Sequence, residues 1–454
     1  MAKPHRGDVL DITIDDLAFG GEGVGRVHGY VMFVRGGLPG DQLRVKVTET
    51  RGRYGRGVIE SVTQASPHRV PAPCPYFARC GGCRLQHLDY AAQLTFKEKQ
   101  VRDCLERLGA TADFELRPIL PAPDAYGYRN KMEFTVVGPG GATVIGLHEA
   151  DRYDVVLEIE RCLLQSETMN TLLAEVRRQT RERALTVYDP ESGQGLLRFV
   201  TLREGRRTGD SMVNIVAAGP DVERLQPVAE ALVARVPSTA SVVLNVNGKK
   251  AAVAVGTEEH VLIGRDHITE RLHDVTFQVS ANSFFQTNTL QAERLFAIVD
   301  GACGLTGGET VIDLYSGTGA ISLLLARHCR HVYGIEVATA AVDDAVRNAR
   351  ANAIMNCTFL AGEVRHVLPT LVRDGVTADV VVADPPRAGF HPKALQALVA
   401  LAPPRIVYVS CNPSTLARDV GDLVRRGYRL EWVQPVDMFP QTPHIEAVAR
   451  LRRA

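Results

Sequence analysis

The sequence predicts a multidomain α/β protein, and three observations carry that prediction. Residues 1–66 hold short β-like runs punctuated by glycines. Residues 110 to about 275 mix strand-like and helical runs, as an α+β domain would. From 276 to 454 strands and helices alternate at the spacing of a doubly wound parallel sheet covered on both faces. A length of 454 residues agrees with two to three domains. Lys plus Arg and Asp plus Glu each number 52, so the formal net charge is zero. That disfavours polyanion binding by bulk charge and leaves local basic patches open. No run of 18 apolar residues is present, so no membrane span is expected. The polar start Met1–Asp8 lacks a secretory core, and a cytoplasmic location is expected. Nine cysteines are too few for a disulfide scaffold and read as ligands, a nucleophile or core.

In the first segment, 9–14, 30–34 and 42–47 read as strands, and their near-regular spacing suggests a small barrel. Five basic residues against Glu49 lie between Arg44 and Gly57, with Tyr54 among them. A basic loop with an aromatic suits RNA backbone contact and base stacking, and a solvated loop is the alternative. Pro67, Pro71, Pro73 and Pro75 form a linker. A helix is expected over 90–108, stopped by Gly109, and a strand over 240–246. In the last segment 309–314, 331–336, 357–361, 379–383 and 405–410 read as strands.

Asp313-Leu-Tyr-Ser-Gly-Thr-Gly319 follows one of these strands and opens a helix. Gly317 and Gly319 let the backbone approach a ligand closely. The next strand ends at Glu336, where doubly wound folds grip a ribose diol. The turn lacks the Gly-x-Gly-x-x-Gly spacing of dinucleotide sites. It looks like motif I of class I S-adenosylmethionine (SAM) methyltransferases; a nicotinamide dehydrogenase or a plain turn are the alternatives. Asp384-Pro-Pro-Arg387 carries an Arg where amino methyltransferases usually have an aromatic, which argues against N-methylation. Asn412 and Pro413 start a helix behind Cys411, placing that thiol where the helix dipole favours thiolate. His444-Ile-Glu446 precedes a final strand. A thiolate and a carboxylate base are the pair that C5 chemistry on uracil needs. Thiolate addition at C6 makes C5 nucleophilic, and a base then removes the C5 proton. Core cysteine and surface charge are the bland alternatives. Cys74-x5-Cys80-x2-Cys83, with Cys162 as a fourth, suits zinc or an iron–sulfur cluster, with free thiols as the alternative. Cys104, Cys303, Cys329 and Cys357 read as core or helix-surface residues.

On these motifs the chain resembles bacterial RNA (uracil-5-)-methyltransferases, specifically the branch acting on 23S ribosomal RNA. The resemblance implies a Rossmann-like SAM-methyltransferase domain over 276–454 and an OB-like TRAM barrel over 1–66. It also implies a central domain over 67–275 whose 90–108 helix packs on the catalytic domain. A [4Fe-4S] cluster is implied on Cys74, Cys80, Cys83 and Cys162. Phe284-Phe-Gln286 is similar to the family's Phe-Phe-Gln motif, which implies Gln286, Tyr315, Glu336 and Asp384 as SAM contacts. Cys411 matches the nucleophile and Glu446 the base. Tyr315 stands where Phe is frequent, Ala320 where Asn is, and Glu363 near an Asn or Asp position. The implied partner is RNA, 23S rRNA first and tRNA second, with no membrane and a monomeric chain. Cytosine-5 methylation and a non-catalytic iron–sulfur RNA-binding protein are the more distant alternatives.

Overall fold

The computed structural model describes residues 3–109, 111, 113–138, 142–251 and 253–454. The first two positions of the polar start lie outside the described residues. β1 (Val9–Leu17), β2 (Glu22–Val27), β3 (Tyr30–Arg35), β4 (Gln42–Thr50) and β5 (Tyr54–Gln64) close into a barrel, in the order β1-β2-β3-β5-β4. Strict alternation on β4 turns Leu43, Val45 and Val47 inward and Arg44 and Lys46 outward. The strand expected over 42–47 is the first part of β4, and it carries Arg44 and Lys46. The basic loop expected between Arg44 and Gly57 shrinks to the turn at 51–53, because Tyr54 and Arg56 already lie on β5. The two-residue period, rather than the charge, decides the backbone there. Gly57 permits this pairing, since a Cβ there would lie 2.3 Å from Val45.

After the proline linker, α1 (Tyr90–Arg107) is capped by Asp89, whose side chain accepts from the Ala92 amide. β6 (Glu115–Leu116) is a short strand on the edge of the C-terminal sheet. The middle of the chain contributes β7 (Lys131–Val137), β8 (Val144–Glu149), β9 (Arg152–Glu158), α2 (Glu167–Glu182), β10 (Leu197–Glu204), β11 (Ser211–Ala217), α3 (Val222–Arg235), β12 (Thr239–Val246) and β13 (Glu258–Gly264). These strands form one seven-stranded sheet, ordered β13-β12-β11-β10-β7-β8-β9. Leu172, Leu173 and Val176 of α2 and Leu225, Val228 and Leu232 of α3 cover one face. Met212 and Val243, on the central strands, point the other way into the core of the C-terminal region. The hairpin β14 (His267–Leu272) and β15 (Val275–Ser280) buries Ile268, Leu272, Val275, Phe277 and Val279 in that same core.

The C-terminal region follows as α4 (Thr289–Cys303), β16 (Thr310–Leu314), α5 (Ala320–Leu325), β17 (His331–Glu336), α6 (Thr339–Ala351), β18 (Cys357–Ala361), α7 (Val364–Arg373), β19 (Val380–Ala383), α8 (Pro392–Leu401), β20 (Arg405–Ser410), α9 (Pro413–Arg425), β21 (Tyr428–Val436) and β22 (Glu446–Arg453). The sheet order is β18-β17-β16-β19-β20-β22-β21-β6. Strands β16 to β20 pair in parallel and β22 turns antiparallel. β16 and β19 are buried along their whole length, as strands covered on both faces must be.

Helix α1 packs on α9 through a close approach of backbones. A Cβ on Gly109 would lie 2.9 Å from Ala417 O, and one on Gly421 would lie 2.7 Å from Gly109 O. The deeper attachment is electrostatic. Lys97 of α1, 1% exposed at its side chain, donates to Asp437 Oδ1 at 2.6 Å and to Phe439 O at 3.2 Å. Burial lowers the Lys97 pKa and Asp437 opposes that shift. Removing one partner strands a buried charge, which costs about 3–5 kcal/mol. Lys97→Met is therefore expected to lower unfolding stability by about that amount in urea titrations. The double variant Lys97→Met/Asp437→Leu is expected to recover much of the loss.

Candidate active site

The C-terminal ends of the parallel strands converge on one pocket. Register puts Leu314 beside Ala383 and Ala383 beside Tyr408, so the turns after β16 and β19 start side by side. The Tyr315 and Ser316 amides both donate to Ile335 O, at 2.9 and 3.0 Å. This pins the glycine-rich turn to β17. Tyr315 (φ 66°), Gly317 (φ 53°) and Gly319 (φ 82°) all take the left-handed region. Tyr315 is strained there, a cost that tends to gather at binding sites. A Cβ at Gly319 would also come within 3.0 Å of Phe359, so glycine is needed twice over.

Gln286, Tyr315, Gly317 and Asp384 line the pocket, with Phe284, Phe285, Ser316, Thr318 and Ala320. Gly319 and Glu336 stand behind this lining. Glu336 accepts the Gly317 amide at 3.1 Å on one oxygen and the Ala338 amide at 2.8 Å on the other. Asn130 holds the Phe-Phe-Gln loop by donating to Gln286 O at 2.9 Å. Glu363 stands at the N-cap position of α7 without a side-chain capping bond, pairs instead with Arg365 at 2.5 Å and is not among the lining residues.

Asp313 received no role from the sequence, although it opens the quoted motif. It is buried under the turn and accepts from Ser322 Oγ at 2.6 Å, while its Oδ1 has no partner. Burial pushes Asp313 up to about 7, and Asp384 and Glu336 add to the shift. Burial also raises Asp384 to about 7.

Cys411 follows β20 and Glu446 opens β22. Ser410 pairs with Ala447 in the antiparallel register, so the next step along each strand brings Cys411 opposite Glu446. The Asp384–Phe390 loop is tied to the same place. Asn412 Nδ2 and Thr415 Oγ1 donate to Arg387 O at 3.1 and 3.2 Å, and the Phe390 amide donates to Asp419 Oδ2 at 2.8 Å. Asn412 caps α9 as expected. The expected thiolate-favouring environment is reversed. Burial, then Glu446 and Asp384, push the Cys411 thiol up to about 11, and Arg387 opposes them. Burial and Asp384 hold Glu446 well above the usual carboxylate range, again against Arg387. Two nearby carboxylates and desolvation outweigh the end of one helix dipole.

Cys74, Cys80, Cys83 and Cys162 come together around a second pocket with Tyr76, Met132, Leu147 and Ile159. Burial, with the other three thiols adding, pushes Cys83 up to about 12. The Gly82 amide donates to Cys80 Sγ at 3.4 Å. Among the described residues, no three His, Cys, Asp or Glu side chains converge as a site for a metal ion. The thiols ring the pocket rather than meet at a point.

Comparison with known proteins decides the class. The family described as tRNA (Uracil-5-)-methyltransferase matches residues 238–454, and the TRAM domain matches residues 4–59. An uncharacterized RNA methyltransferase of Halalkalibacterium halodurans is 41% identical over 99% of this chain and 98% of its own. One from Chlorobaculum tepidum is 41% identical over 99% and 97%. The chain belongs to the RNA (uracil-5-)-methyltransferase family. The solved structure of Pyrococcus abyssi tRNA (uracil-54, C5)-methyltransferase, in complex with S-adenosyl-L-homocysteine, covers 97% of this chain and 99% of its own. Its TM-score is 0.77 at 31% identity. The protein is thus a SAM-dependent RNA uracil-5-methyltransferase with a TRAM barrel. No described helix is long and apolar enough to cross a membrane.

Asp384 lines the pocket and burial raises it to about 7, so a ligand carrying a sulfonium is expected to bind best when Asp384 is ionised. SAM affinity is expected to fall as pH drops below 7, by up to about tenfold per pH unit for each carboxylate that must lose a proton. It should level off above 8. Calorimetric titration at pH 6, 7 and 8 checks this, and S-adenosyl-L-homocysteine, lacking the sulfonium charge, should depend less on pH.

Proposed function

We propose that this protein transfers the methyl group of SAM to C5 of one uridine in 23S rRNA, with Cys411 as nucleophile and Glu446 as base. The observation that carries the chemistry is the register that sets Cys411 opposite Glu446 beside Asp384. Gln286, Tyr315, Gly317, Gly319, Glu336 and Asp384 are assigned to SAM, which supplies an electrophilic methyl group when bound. The target base must leave its stack to reach Cys411.

Cys411 Sγ bonds to C6 and gives up its proton, and the C5=C6 electron pair moves to C5 and O4. Asp384, raised to about 7 and so partly ionised at neutral pH, takes that proton. With Asp384 neutralised by the thiol's proton, Glu446 loses that repulsion and releases its own proton to solvent; once C5 carries the methyl group, Glu446 as carboxylate removes the C5 proton. The C5=C6 bond reforms and Cys411 leaves as thiolate. Arg387 favours the anionic form at both Cys411 and Glu446.

We also propose that Cys74, Cys80, Cys83 and Cys162 hold a [4Fe-4S] cluster. The donor set supports this: four sulfurs, no imidazole, ringing one apolar-walled pocket with an amide donating to sulfur. A group with several irons suits thiols spread around a space better than a single zinc does. The cluster's place is structural, since no step above needs an electron.

The choice of 23S rRNA rests on the resemblance to that branch. A uridine in tRNA is the second reading, favoured by the Pyrococcus abyssi structure, a tRNA enzyme that matches 97% of this chain. A TRAM barrel therefore does not separate the two substrates.

Labelled SAM with unmodified 23S rRNA and tRNA transcripts decides the substrate: label recovered as 5-methyluridine in 23S rRNA supports the proposal, and label in tRNA alone replaces it. Cys411→Ser is expected to abolish transfer. Glu446→Gln is expected to methylate once and stall, leaving a protein–RNA adduct stable in denaturing gels. Anaerobically purified protein should carry iron and acid-labile sulfide in equal amounts, lost in Cys83→Ser.

A further inference from the structure

The loop that carries Gln286 into the SAM pocket is fixed by buried polar groups from three other elements. Arg203 of β10 donates to Ala281 O at 3.1 Å and to Ser283 O, which fixes the start of the loop. Asn130, buried just before β7, holds its end. The Asn130 amide N–H donates to Thr287 O at 2.9 Å. Its side-chain Nδ2 donates to Gln286 O at 2.9 Å and to Thr289 Oγ1 at 2.8 Å. Thr289 Oγ1 in turn donates to Glu270 Oε2 of β14 at 2.6 Å.

The direction of each bond in this chain is set by its far end. Glu270 is buried and accepts the Arg206 amide at 2.7 Å on Oε2, together with Thr289. Its Oε1 accepts the Arg207 and Arg271 amides at 2.9 and 2.8 Å. Four donors fill the four acceptor sites of a carboxylate, so the shared proton stays on Thr289. The Thr289 oxygen then has only acceptor capacity left for Asn130, and Gln286 O is an acceptor too. Both contacts therefore demand the NH2 end of Asn130. A carboxylate in its place would set oxygen against oxygen at both. Tyr128, two residues earlier, donates to Pro440 O on the segment that ends at Glu446. One short stretch before β7 thus touches both the SAM loop and the segment bearing the proposed base.

We infer that Asn130 is a positioning residue for methyl transfer: with Thr289 and Glu270 it sets the Gln286 backbone, and through it the Gln286 side chain in the SAM pocket. The held carbonyl belongs to Gln286 itself, so a turn of that peptide moves the side chain that lines the pocket. A displacement of about 1 Å is enough to cost a bound, oriented group much of its effect. The inference rests on the assignment of Gln286 to SAM and not on the choice of RNA.

The test uses the full chain, with SAM titrated by calorimetry, fluorescein-labelled decauridylate by anisotropy, and folding read from urea midpoints. Asn130→Asp keeps the shape and removes the donor. Thr289→Val removes the hydroxyl at nearly the same size, and Thr289→Ser keeps it. Asn130→Asp is expected to weaken SAM binding about tenfold and Thr289→Val about threefold, while Thr289→Ser stays within about twofold of the wild type. Decauridylate affinity should be unchanged in all three. In a Gln286→Ala background Asn130→Asp should cost less than about twofold, because a residue that acts through Gln286 has nothing left to position. Should Asn130→Asp fail to fold, the Thr289→Val and Thr289→Ser pair carries the same comparison in both backgrounds. Weakened SAM binding in Gln286→Ala, with wild-type affinity in the folded Asn130 and Thr289 variants, would overturn the positioning role and leave the assignment of Gln286 standing. Full-size losses in the Gln286→Ala background would overturn the positioning role as well. Wild-type SAM affinity in Gln286→Ala alone would overturn the assignment of Gln286, and the positioning role with it.

Discussion

The fully buried Lys97–Asp437 pair organises the molecule around the segment between β21 and β22. A lysine so placed must satisfy its charge locally, and it does so on Asp437 and Phe439 O. Around it, Gln93 exchanges hydrogen bonds with Gln441, Asn288 donates to Met438 O, and Tyr128 donates to Pro440 O. Residues from α1, the Cys-rich segment, the central sheet and the α4 cap therefore all hold one stretch of chain. That stretch ends at Glu446. The position of the proposed base is thus set by elements that are distant in sequence, and the central domain is part of the catalytic frame.

The same compactness governs proton placement. Asp313, Asp384 and Glu446 are crowded into a desolvated site, and each is shifted upward. Such a set cannot ionise together, because like charges at short range in a poorly solvated volume repel too strongly. The free site therefore holds a protonated thiol at Cys411. Arg387 is the nearby cation working against that tendency at Cys411 and Glu446. A cationic cosubstrate shifts this balance toward ionised carboxylates, so occupancy and protonation are linked.

Much of the architecture was readable in residues. The five parallel strands fall within a residue of their expected limits, because continuous Val/Ile/Leu runs separated by helical periods admit few other foldings. Helix α1 follows its cap at Asp89 and ends just before Gly109. The strand expected over 42–47 is the first part of β4, set by the alternation of Leu43, Val45 and Val47, whereas Tyr54 and Arg56, expected in a basic loop, open β5 because they pair with β3 and β4. Asp313 was quoted without a role, since its isolation from water depends on Ser322 and the turn above it.

The sequence by itself determined which groups are candidates for chemistry: the glycine turn, Asp384, Cys411, the four clustered cysteines and, through the family resemblance, Glu446. Only the tertiary structure decided what those groups experience. The pairing of Ser410 with Ala447 sets Cys411 against Glu446, and burial beside two carboxylates makes the thiol a weak acid where a helix end alone would make it a stronger one. The contact of Arg387 with His444 has no signature at all in local sequence. Spacing encodes local backbone geometry, whereas pKa and charge clustering depend on desolvation and on neighbours hundreds of residues away.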